Sequence, residues 1–73
     1  MKYHIELNVA DIKVRLLNRL KEVAKKNGCE TMDHGWDRLV IVSDLKKFNK
    51  LVTELDNTCK FYGVKYESLL NLD

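Results

Sequence analysis

The stretch Val64-Lys65-Tyr66-Glu67-Ser68-Leu69-Leu70-Asn71-Leu72-Asp73 decides the fold. Val64, Tyr66, Ser68, Leu70 and Leu72 recur at a period of two, which favours a closing strand. Tyr66, Leu69 and Leu70 also suit a short helix, the competing reading of the same residues.

Upstream of this stretch lies the strongest periodic signal in the chain. Leu45, Phe48, Leu51, Val52, Leu55, Cys59 and Tyr62 are spaced by three and four, predicting a helix capped by Ser43 or Asp44 and stopped by Gly63. Before it, Arg38 to Ser43 carries the β-branched run Leu39-Val40-Ile41-Val42, a strand covered substantially on both faces. His34-Gly35-Trp36-Asp37 supplies a reversal, so Cys29 to Asp33 reads as a short strand and the pair as a hairpin.

The segment from Asp11 to Gly28 reads as the first helix of the chain, with Asp11 as the expected N-cap and Gly28 as its stop. Leu16, Leu17, Leu20, Val23 and Ala24, extended by Ile12, form its apolar stripe. Tyr3, Ile5, Leu7 and Val9 alternate with Lys2, His4, Glu6 and Asn8, the signature of a strand with one buried face.

The predicted order is therefore βαββαβ. Two helices on one face of a four-stranded antiparallel sheet make an α+β, ferredoxin-like sandwich in a single domain spanning residues 1–73. The right-handed crossover rule puts the first and third strands side by side in the middle, with the more ragged second and fourth at the edges.

Seventy-three residues bury only about 60% of their extended-chain surface, so self-association has something to add. A 45% hydrophobic and 33% charged composition excludes disorder as the main state. No apolar run approaches membrane-helix length and no signal-peptide core opens the chain, so the expected address is the cytoplasm. Two cysteines thirty residues apart, without a CxxC, read as reduced thiols.

The net charge of +2 is unevenly placed. Residues 1–28 carry seven Lys/Arg against three Asp/Glu, and residues 29–73 carry six against eight. The basic half is the first-helix half, where Lys13, Arg15, Arg19, Lys21, Lys25 and Lys26 accompany Glu22 as the only acid inside the helix. Arg15, Arg19 and Lys26 recur at i, i+4 and i+11 and are expected to form one exposed ridge. Lys46 and Lys47 open the second helix, with Lys50 one turn on. An exposed lysine there is slightly unfavourable and otherwise unremarked, but the three together also suit an anion.

No catalytic constellation accompanies these charges. The carboxylates offer no pair at acid/base spacing, and the three glycines form no phosphate loop. His4, His34, Cys29 and Asp33 are metal-ligand types without zinc spacing, and the plain reading is two surface histidines. Cys59 sits on the buried stripe, leaving Cys29, near Lys25 and Lys26, as the one thiol with a candidate electropositive setting. No enzyme activity, cofactor or metal is expected. Trp36 at the hairpin tip either folds over the core, the plainer reading, or stands out as a binding anchor.

The expected function is a small non-catalytic regulatory, inhibitor or antitoxin-like protein that binds a macromolecular partner, foremost another protein. Val40 and Val42 point away from the helices if Leu39 and Ile41 point in; with His4 and Glu6 as rim they form an interface suited to a homodimer. The alternative is an RNA or single-stranded DNA binder that tracks phosphates with the basic helix. It would do so without the stacking aromatics of an RNA-recognition motif, since Arg38 to Val42 has none. A further alternative is a small-ligand sensor similar to ACT domains, which match in length and element order. Their glycine at the start of the first helix has no counterpart here.

Overall fold

The computed structural model describes residues 2–70. Strand β1 (Lys2–Asn8) leads into helix α1 (Val14–Lys26), followed by strands β2 (Glu30–His34) and β3 (Arg38–Asp44), helix α2 (Leu45–Phe61) and a short helix α3 (Tyr66–Leu69). All strand pairings are antiparallel, and the sheet order is β1-β3-β2.

The four-stranded βαββαβ expectation is thus corrected to a three-stranded α+β fold. Strands β1 and β3 do lie side by side, but β3 alone is central. The expected closing strand gives way to α3, for a reason visible in the burial. A strand would carry Ser68 on the face shared with Tyr66, whereas one helical turn buries Tyr66 and Leu69 and leaves Glu67 and Ser68 in water. The Ser68 hydroxyl donates to the Lys65 carbonyl at 2.6 Å and tightens this turn. Leu70 then returns to an extended backbone and makes a single antiparallel bridge with Leu7. The remainder of the expected strand, residues 71–73, lies outside the described residues.

The core fills the space between the sheet and the two long helices. Ile5 and Leu7 from β1, and Leu39 and Ile41 from β3, meet Leu16, Leu20, Val23 and Ala24 from α1 and Leu51, Leu55 and Cys59 from α2. Both stripes are narrower than the periodicity implies. Ile12, Leu17, Phe48 and Val52 are half-buried, while Leu45 is 57% exposed beyond the sheet's reach.

The α1 start differs from expectation, the α2 start falls at Asp44 as expected but without a side-chain cap, and both helix stops agree. Lys13, not Asp11, is the N-cap of α1 and supplies no side-chain cap. Asn8 organises the preceding turn instead, accepting the Ala10 amide at 3.1 Å. Neither Ser43 nor Asp44 caps α2 through its side chain, and the Ser43 hydroxyl donates to the Asp44 carbonyl. At the other ends, the Gly28 and Gly63 amides donate to Lys25 and Lys60 carbonyls, and the next amides, Cys29 and Val64, reach back to Ala24 and Cys59. Both glycines have φ above +70°, the left-handed turn that this Schellman closure requires. No helix among the described residues is long and apolar enough to cross a membrane.

Candidate functional site

Helices α1 and α2 pack against one another so that the end of the first meets the beginning of the second. The Asn27 side chain makes the join. Its amide nitrogen donates to the Val23 carbonyl at 2.8 Å, within its own helix end, and also to the Glu54 carboxylate of α2.

Around this join lies a depression of about 370 Å³ lined by Lys25, Lys26, Asn27, Gly28, Lys47 and Lys50. Two groups of lysines that are distant in sequence therefore face one concavity, and no carboxylate among the described residues lines it. Among the described residues, the ion pairs are Arg19–Glu22, Lys21–Asp33 and Lys60–Asp56, so these four ammonium groups have no anionic partner. The uncapped start of α2 adds the positive end of its dipole at Lys47. The arrangement suits carboxylate or phosphate oxygens, for which ammonium groups are strong donors.

The remaining basic residues are dispersed. Lys13 is at the opposite end of α1, where it and Asp11 line a separate cavity of about 370 Å³ over Ile12, Leu16, Val64 and Leu69. Lys21 reaches Asp33 of β2 at 3.1 Å, which withdraws it from the exposed basic surface. Arg19 is partly neutralised by Glu22 at 3.0 Å, and Arg15 is exposed. Lys46 is exposed but does not line the depression.

Two further depressions lie along the seam between the helices beyond the lysines. Lys26 is shared with the first, lined by Arg19, Glu22, Val23, Glu54, Asn57 and Thr58, and the second shares Arg19, Asn57 and Thr58 with it and reaches Phe61 and Tyr62. Phe61 is 85% exposed, with its ring edge-on to Tyr62 at 5.5 Å between centroids. Sequence reasoning passed over Phe61 because it lies off the apolar stripe of α2. An aromatic on a polar helix face is itself the signal that identifies it.

On the open face of the sheet, three registered rows read His4–Val42–Glu30, Glu6–Val40–Met32 and Asn8–Arg38–His34. Val40 is buried at 4% exposure because Glu6 and Met32 flank it, and Val42 is half-buried. The expected exposed valine pair is therefore a smaller patch in which Met32, at 43%, is the most accessible apolar side chain. Met32 escaped notice because the alternation in β2 is weak.

Trp36 is 80% exposed at the hairpin tip, so the reading that folds it over the core is corrected. Cys29 and Cys59 are both buried free thiols, which removes the electropositive, accessible setting considered for Cys29. Burial, and secondarily Asp56, pushes the Cys59 thiol above its usual range; burial, then Cys59 and Asp56, does the same for the Tyr66 phenol. No three metal-ligating side chains converge among the described residues, and His4 and His34 occupy separate rows of the sheet. No family model matches the chain, and neither a curated protein nor a solved structure does.

Proposed function

We propose that this protein is a small non-catalytic binding protein, acting stoichiometrically as a regulator, inhibitor or antitoxin-like factor, that engages an anionic macromolecule on its helical side. The observation that carries this reading is the convergence of Lys25, Lys26, Lys47 and Lys50 on one concavity that no carboxylate of the described residues lines. Four like charges brought together repel one another and lower the stability of the folded state, so a partner that neutralises them is favoured.

The test is fluorescence anisotropy with labelled polyglutamate and labelled oligothymidylate across a salt series. At low salt at least one of them should bind, and Lys47→Gln with Lys50→Gln should weaken that binding roughly tenfold or more while leaving the fold intact. Equal affinity in wild type and variant would overturn the reading.

A second reading concerns self-association through the open face of the sheet. It is favoured by Met32, which stands exposed beside Val40 and next to the half-buried Val42, within a rim of His4, Glu6, Glu30 and Arg38.

A further inference from the structure

We infer that the seam between α1 and α2 is a docking track for an extended acidic segment of a partner protein. Its carboxylates sit among Lys25, Lys26, Lys47 and Lys50, and an apolar side chain packs on Phe61. This rests on the anionic-partner reading above and adds the class of partner and its direction along the seam.

Three observations carry it. Three adjacent depressions follow the seam and share wall residues, Lys26 between the lysine depression and the middle stretch, and Arg19, Asn57 and Thr58 between the middle and the aromatic end. The walls of the seam are two side-chain rows at helical spacing: Arg19, Glu22 and Lys26 on α1, and Lys47, Lys50, Glu54, Asn57 and Phe61 on α2. The chemistry changes along the seam, from lysines, through a stretch where Arg19 and Lys26 offset Glu22 and Glu54, to the exposed Phe61 ring beside Tyr62.

That change discriminates between occupants. A nucleic-acid strand carries a negative charge at every step, and the middle stretch, where Arg19 and Lys26 are balanced by Glu22 and Glu54, offers it no net positive charge. A protein segment concentrates its acids at one end, presents neutral backbone in the middle and ends on an apolar residue. The Asn57 side chain, exposed in the middle stretch, is placed to meet that backbone. Lys50 and Phe61 are eleven residues apart on one helix, about 16 Å at 1.5 Å per residue. An extended chain covers that span with about five residues, which sets the distance between acidic cluster and anchor.

The test uses synthetic peptides on the full chain: a glutamate tetrad, a glycine-serine spacer of about four residues and a tryptophan, against the same peptide ending in serine, and against oligothymidylate. The tryptophan peptide should bind roughly tenfold tighter than the serine peptide. Phe61→Ser should abolish that difference without altering the serine-peptide affinity, while Lys47→Gln with Lys50→Gln should weaken both. Phe61 is exposed, so its replacement leaves the fold intact. Equal binding of the two peptides would overturn the docking track and leave the lysine reading standing. Tighter binding of oligothymidylate, lost in Phe61→Ser, would overturn it in favour of a stacked single strand. Indifference of every probe to the lysine variant would overturn both readings.

Discussion

The Lys47 ammonium lies 2.6 Å from the point that a Cβ on Gly28 would occupy, so the turn closing α1 is also the floor beneath a lysine of α2. Gly28 has a φ of +71°, and any side chain there meets both backbone strain and the Lys47 terminus. Lys47 is flexible and will move aside, which leaves the backbone as the main cost. Gly28→Ala should lower stability by about 1–2 kcal/mol in urea titrations and weaken polyanion binding by displacing one ammonium. An unchanged denaturation midpoint would mean that the Schellman closure is not formed.

Leu55 is fully buried at the centre of the α2 stripe, against both α1 and the sheet. Leu55→Ala should destabilise the domain by about 2–5 kcal/mol, measured by urea or thermal unfolding. A domain of this size has little more than that to lose. A well-tolerated substitution would show that α2 does not pack as described.

Arg15 and Arg19 are exposed on α1, and the Arg19–Glu22 pair is solvated on both sides. Replacing both arginines by glutamate should move the thermal midpoint little, because such a pair contributes about 0.2–0.5 kcal/mol. Binding of acidic probes should fall together with its salt dependence. A large loss of stability would mean that these side chains face inward.

Cys59 and Tyr66 are both raised above their usual values of 9.0 and 10.0, chiefly by burial. Raised folded values mean that the folded state holds its protons more tightly than the unfolded chain does. The stability contributed is fully present below the unfolded values and is lost as pH rises through the folded ones. Thermal midpoints should therefore be insensitive to these groups near neutrality and decline once pH exceeds the usual thiol value. Replacing Cys59 by alanine should shrink the decline, and a decline of equal size would exclude that thiol as its source.

Self-association through the open face of the sheet predicts a concentration-dependent mass in sedimentation equilibrium that Met32→Lys abolishes. Met32 is exposed, so the lysine leaves the fold undisturbed. A wild-type protein that stays monomeric at high concentration would exclude this interface.

Patterns along the chain were legible where one period dominates. The alternation of Ile5, Leu7 and Val9 and the run from Leu39 to Val42 announce the two paired strands, and spacings of three and four announce α1 and α2 with their closing glycines. Legibility failed at Val64 to Leu70, where both periods fit. Only the space left between α2 and β1 favours burying Tyr66 and Leu69 over alternation. It failed again at the start of α1, where Lys13 and not Asp11 is the N-cap, and Asp44, though the N-cap of α2 as expected, makes no side-chain cap.

Which face of each element is apolar can be read from local pattern, because a periodic pattern is a property of one segment and its own backbone geometry. Which elements become neighbours is a property of packing through space, and it is legible only in the folded chain. Antiparallel packing brings the end of α1 to the start of α2, joining Lys25 and Lys26 to Lys47 and Lys50 across more than twenty residues of chain. The same packing leaves Phe61 at the far end of the seam, and the registered neighbours Glu6 and Met32 bury Val40 on a face that no helix covers. Such contacts depend on distances through space between residues far apart in the chain, and no local period encodes them.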